Sequence, residues 1–294
     1  MPAPSPSARR PRRMLRWTLL LSGALLAVAA LAAVDRAAAL DASASVPAAP
    51  SAHDAAAAPG PIERAWLRLR GPPTIGLQVG HLRAFDHPDE LAALRLNTGG
   101  HAAGLDEVEV NRAVVDALAA QLEANGIHVD VLPATVPPRY RADVLISVHA
   151  DVSPDPRRTG YKSAHRRPAR NALEPVLKAH LDAAYLSASP LSDDDANVTG
   201  AMLHYYAFSD RRYLHAAHRA TPGVIVELGY LSNPDDRAWL TDPDGPADAL
   251  ARGLHSYLAD IGRWHPSMAS KTQREGGSGV LAWAACLRSP ASCF

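Results

Sequence analysis

The chain has 294 residues and balances 30 Lys and Arg against 30 Asp and Glu, a formal net charge of zero. A length of this order allows one or two domains, and the even charge balance gives no electrostatic case for nucleic-acid binding. Aromatic residues make up only 5% and Ala is abundant, so much of the apolar content lies in Ala-rich segments.

Arg9, Arg10, Arg12, Arg13 and Arg16 precede an uncharged stretch from Trp17 to Val34. A basic flank followed by an apolar segment reads as an export signal or an uncleaved membrane anchor. The stretch is longer than a usual signal core and barely long enough to span a bilayer. Ala37, Ala38 and Ala39 offer a small-residue cleavage site. Residues 1–40 are therefore read as signal peptide or anchor. The expected destination is periplasmic, extracellular or tethered to the outer face of the cytoplasmic membrane. Residues 41–65 are rich in Ala, Pro and Ser and suit a flexible linker.

Folded sequence is expected over residues 66–264, as one catalytic domain. "TIGLQV" (74–79) predicts a buried strand, and "EVEVNRAVVDALAAQLEAN" (107–125) a helix with Asp106 as N-cap and Gly126 beyond its end. "IHVDVL" (127–132) and "DVLISV" (143–148) predict two further strands. "RNALEPVLKAHLDAAYL" (170–186) predicts a helix, "GVIVEL" (223–228) a strand and "PADALARGLHSYLADIG" (246–262) a closing helix. Short apolar strands separated by helices imply an α/β domain with a largely parallel twisted sheet covered by helices on both faces. The tail, residues 265–294, is unassigned; its Cys286 and Cys293 can pair or stay free, and are too few for a cysteine-based zinc site.

Three strands end on groups that carry chemistry. "TIGLQVGH" ends in His81, "DVLISVHAD" carries His149 near its end and "VIVELG" carries Glu227 near its end. In open parallel sheets, sites form at the carboxyl ends of the strands. The helix from Glu107 adds a fourth group. At about 100° per residue, Glu107 shares the inward stripe of Val110, Asn111, Val114, Leu118 and Leu122, whereas Glu109 falls on the opposite side with Arg112 and Asp116. A carboxylate in the first turn also suits the positive end of the helix. Two imidazoles and one carboxylate are a ligand set for catalytic zinc, with the fourth position left for water. His81, Glu107 and His149 fit the ligand role, and Glu227 fits the base.

At these residues the sequence resembles the zinc-dependent N-acetylmuramoyl-L-alanine amidases of the AmiC/CwlV (Amidase_3) type. The motifs are "VGH" (79–81), "GLDEVEVN" (104–111), "SVHAD" (147–151) and "VELGYLSNP" (226–234), in the family's order. The resemblance implies hydrolysis of the amide bond between N-acetylmuramic acid and L-alanine in peptidoglycan. It implies zinc held by His81, Glu107 and His149, with Glu227 moving the proton. Peptidoglycan is then the expected partner. A monomer is expected, with membrane contact only through the N-terminal segment and no nucleic acid.

The first motif departs from the family's "GHGG": here it reads "GHLR", followed by a longer insert containing "NTGGH". His101 in that insert is therefore a rival to His81 as a ligand. The departure also keeps open a metal-free binding or regulatory module of the same fold, and a zinc peptidase of related fold is a third reading. Asp151 either orients His149 from behind or caps a turn. The basic segment "PRRTGYKSAHRRPAR" (156–170) either holds anionic groups of a cell-wall polymer or is a solvated loop. His204, His215 and His218 are read as surface or packing residues, and Tyr205, Tyr206 and Tyr230 as groove lining or core.

Overall fold

Alternating apolar residues let each central strand feed two different layers. The computed structural model describes residues 71–265. The readings of residues 1–40 and 41–65, the start of the domain before residue 71 and the tail with Cys286 and Cys293 lie outside the described residues. Among the described residues no helix is long and apolar enough to cross a membrane.

The strands are β1 (Thr74–Val79), β2 (His101–Ala102), β3 (Leu105–Asp106), β4 (His128–Leu132), β5 (Val144–Asp151), β6 (Lys162–Ala164) and β7 (Gly223–Tyr230). The helices are α1 (Glu107–Ala124), α2 (Leu173–Ala188), α3 (Gly200–Leu203), α4 (Pro234–Leu240) and α5 (Asp244–Asp260). The main sheet has the order β4-β1-β5-β7-β6, and β2 and β3 form a separate antiparallel pair. β4, β1, β5 and β7 run parallel, and β6 is antiparallel to β7 at the edge.

One face of the sheet carries Ile75, Leu77, Val79, Val144, Ile146, Val148, Val224, Val226 and Leu228, packed in one cluster with the inward stripes of α1, α2 and α5. Val114, Leu118, Leu122, Leu181, Leu254 and Leu258 are fully buried there, each contributing roughly 1.5–3 kcal/mol by leaving water. The opposite face carries Leu145, Ile225 and Ala164 and is covered by Met202, Ala207 and Phe208, from α3 and a following 3₁₀ turn (Tyr206–Phe208). Helical chain thus covers both faces, long helices on one and short turns on the other.

Each expected strand and helix is present, with ends shifted by at most a few residues. Asp106 stands at the N-cap of α1 but makes no side-chain cap bond. Its carboxylate meets His101 Nδ1 at 2.7 Å instead. The expected stripe is buried and Glu109 is exposed. The basic segment is split between buried and solvated parts. Its middle forms β6, and Lys162 and Arg170 turn inward to paired carboxylates, while Arg157 and Arg158 stay exposed.

Arg170 ties the second face together. Its Nε donates to Glu174 Oε1 at 2.7 Å, with the two side chains 3% and 0% exposed. Its two other nitrogens donate to the carbonyls of Ala217 and Thr221 at 3.0 and 2.8 Å. Arg170→Met strands a buried carboxylate, so it should cost about 3–5 kcal/mol in urea unfolding. Adding Glu174→Leu should recover most of that loss.

Candidate metal centre

The strand order places a crevice between β1 and β5. From β1 the chain passes through α1 to β4 on one side, then returns to β5 on the other. Such a switch point leaves room at the carboxyl ends of the two strands. His81 follows β1, His149 sits near the end of β5, and Glu227 is the register partner of His149 on β7.

His81 lies in the left-handed region, with φ 63, a conformation uncommon outside glycine and frequent at functional sites. Its Nδ1 lies 2.8 Å from the Asn97 carbonyl oxygen. A carbonyl only accepts, so Nδ1 carries a proton and Nε2 is the nitrogen left to face the cluster. That Nε2 is 3.3 Å from Glu107 Oε1. The same oxygen is 3.0 Å from His149 Nδ1. The two imidazoles stand edge to face, ring centres 4.8 Å apart.

Glu107 is 6% exposed. It is held by the Gly100 amide on Oε2 at 2.8 Å and by Asn111 Nδ2 on Oε1 at 3.2 Å. Gly100 also accepts from the Glu107 amide at 2.9 Å, so the "NTGG" turn clasps the start of α1. Gly99 within that turn has φ +94 and lies 3.3 Å, at a would-be Cβ, from the His81 ring. A side chain there would be both strained and crowded.

Burial would push Glu107 up, but the hydrogen bonds from His149 and His81 outweigh it and hold the carboxyl well below its usual range. Burial would push His81 down, and its bond to Glu107 outweighs that and raises it. Glu227 goes the other way: burial, then the charges of Glu107 and Asp151, raise it well above the usual carboxylate range, against the pull of Lys162. Its Oε2 is enclosed and has no hydrogen-bond partner.

Among the described residues, ligand atoms of His81, Glu107 and His149 lie within 4.8 Å of one another. Two imidazole nitrogens and an ionised carboxylate converge on one point, where a dication can take the place of the protons between them. The donor set of two nitrogens and one oxygen fits a divalent ion with an open position.

His101 does not join the cluster: it is 62% exposed and pairs with Asp106 across β2 and β3. The insert that carries it instead forms two 3₁₀ turns, Ala84–Asp86 and Asp89–Leu94. Asp151 does not orient His149. A register shift in β5 between His149 and Asp151 turns its side chain aside. There it binds Lys162 Nζ at 2.5 Å and the neighbouring Val152 amide at 2.7 Å. Tyr230 is core, bonded to Lys162 and Asp194. Asn97 and Gly100 escaped the sequence reading because they act through backbone atoms; the paired glycines were the available signal.

A cleft of about 360 Å³ opens over the cluster, lined by His81, His149, Glu227, Leu91, Met202 and Tyr205 among others. Its two walls are the insert and the segment before β7. Glu90 from one accepts the amides of Leu214 and His215 from the other, at 2.9 and 2.8 Å. His204 is exposed at the cleft, and His215 pairs with Glu90 at 2.8 Å.

Residues 77–256 match the family model described as N-acetylmuramoyl-L-alanine amidase. The chain belongs to that family. The curated N-acetylmuramoyl-L-alanine amidase Rv3717 of Mycobacterium tuberculosis is 33% identical over 129 residues, which are 42% of this chain and 51% of that protein. The chain thus matches about half the length of that relative. Among solved structures, Ami1 of Mycobacterium smegmatis is 19% identical, with TM-score 0.49, over 65% of this chain and 98% of that one. AmiC2 of Nostoc punctiforme is 17% identical, with TM-score 0.45, over 64% and 98%.

Gly80 is where this amidase-family chain leaves no slack. A Cβ there would lie 2.5 and 2.6 Å from His149 ring atoms and 2.7 Å from the Val148 carbonyl. Gly80→Ala should push the imidazole off the cluster and weaken divalent-ion affinity by at least about tenfold, the scale on which a ligand's support matters. Isothermal calorimetry of metal-free protein checks this.

Proposed function

We propose that the protein is a zinc-dependent amidase that cleaves the bond between N-acetylmuramic acid and L-alanine in peptidoglycan. The observation that carries this reading is the cluster of His81, Glu107 and His149 facing Glu227 in one cleft, in a chain of this family. His81 through Nε2, Glu107 through its carboxylate and His149 through Nδ1 are the groups that would hold the ion. Zinc bound there supplies a Lewis acid that acidifies water and polarises the scissile carbonyl.

Glu227 does the proton work. Its Oε2 lacks a partner, so it is available to take a proton from the attacking water. A bond forms from the water oxygen to the carbonyl carbon. The carbon–nitrogen bond then breaks as Glu227 returns the proton to the departing L-alanine nitrogen. The products are the free lactyl carboxyl and the amine of the stem peptide. Leu91 and Met202 line the cleft with apolar surface, which excludes bulk water around the reacting carbonyl.

Peptidoglycan as substrate implies work outside the cytoplasm, in keeping with the basic and apolar segment before residue 35. Export, and a signal or anchor as its route, belong to the same proposal.

Digestion of purified sacculi tests it. Glu227→Gln should keep its zinc and lose about 10²- to 10⁴-fold in turnover, the range for removing a general acid–base group. Chelation should abolish release of intact stem peptides, and added zinc should restore it. Equal turnover by wild type and Glu227→Gln sinks the role of Glu227; release of internal peptide fragments instead marks a peptidase.

A further inference from the structure

Two polar side chains interrupt the apolar strands beneath the cleft. Gln78 on β1 and Ser147 on β5 are register partners, and both are completely buried. Each sits two residues before a position at the metal centre, Gly80 and His149. Neither is needed for the sheet, and a buried amide is retained only where its bonds are made.

The amide of Gln78 can sit only one way round. Its Nε2 donates to the Ala134 carbonyl and to Tyr206 Oη, the latter at 3.0 Å. The carbonyl only accepts, so Gln78 Oε1 is turned the other way, towards Tyr205. Tyr205 Oη donates to this Oε1 at 3.1 Å. Tyr206 directs its own proton to Ala134 and has none for Tyr205. Ser147 Oγ donates to Tyr205 Oη at 3.0 Å.

Tyr205 Oη also lies 3.2 Å from His149 Nε2. Its one proton goes to Gln78 Oε1 at 3.1 Å or to the more distant Tyr206 Oη at 3.3 Å; directed to either, it leaves the phenol oxygen to accept from that nitrogen. We propose that Tyr205, polarised by Gln78 and the Ala134 carbonyl, is the positioning residue that keeps a proton on His149 Nε2 and thereby presents the Nδ1 lone pair to the metal. This rests on reading His81, Glu107 and His149 as ligands. The two imidazoles are then set by the same device: Asn97 O acts on His81 directly, and Ala134 O acts on His149 through a two-residue relay.

The experiment reads the imidazole nitrogens by NMR in protein with isotope-labelled histidine, with and without zinc. His149 Nε2 should carry a proton in both states, and zinc should shift Nδ1. A bare Nε2, or ligation through Nε2, overturns the proposal without need of any variant. Tyr205→Phe removes one hydroxyl at constant shape. It should weaken zinc binding about 10- to 100-fold and speed exchange of the Nε2 proton; the buried Gln78 Oε1 loses its donor too, so the melting temperature should fall as well. Gln78→Met should act in the same direction. Unchanged affinity and unchanged exchange in Tyr205→Phe refute the relay, even where the wild type binds zinc and releases stem peptides. A wild type that binds no zinc refutes the metal reading instead, and the proton on Nε2 in that protein still decides the relay.

Discussion

The site turns on one carboxylate oxygen. Glu107 Oε1 lies 3.3 Å from one imidazole and 3.0 Å from another, at a residue 6% exposed. An ionised group so far from water must be surrounded by donors or by a cation. Much of the local chain does that work. The Gly100 amide, Asn111 and the first turn of α1 all bear on Glu107. His81 adopts a left-handed backbone, and Gly80 lacks the Cβ that would collide with His149. The sheet order matters for the same reason, since the crevice between β1 and β5 exists only because the chain reverses direction there.

Around that oxygen the two faces of the sheet are closed in different ways. Three long helices pack one face of the sheet in a continuous apolar cluster. The other face is closed by short turns and buried polar ties, among them Arg170 with Glu174 and Gln78 with Tyr206. The cleft lies on that second side, and two segments that depart from the family's motifs form its walls. Glu90 joins them by accepting two backbone amides. Glu107, His149 and Glu227 sit on a helix and two regular strands, and His81 follows a third strand directly, the kind of support that fixes side-chain positions. The walls that would meet substrate are built from loops, which tolerate change.

Much of this was legible in the amino-acid sequence. Strand and helix positions followed from runs of Val, Ile and Leu and from the helical stripe through Val110, Val114 and Leu118, because burial imposes those periods directly. His81, Glu107, His149 and Glu227 stood out because a polar group at the end of an apolar strand or start of a helix has few structural uses. The same logic misjudged residues whose partners lie far along the chain. Lys162 and Arg170 looked like parts of a solvated basic loop. Their carboxylates, Asp151 and Glu174, capture them only once β6 joins the sheet and α2 has formed.

The sequence by itself determined which residues are apolar, where regular structure can form and which side chains are able to bind a metal or carry a proton. Those are local properties, set by side-chain chemistry and spacing. Only the tertiary structure brought His81 and not His101 beside Glu107 and His149, turned Asp151 towards Lys162, and set Gln78, Tyr205 and Ala134 in line behind an imidazole. Each of these depends on distance and direction between segments that are remote in the chain, and no local pattern records which way an amide or a ring will face once they meet.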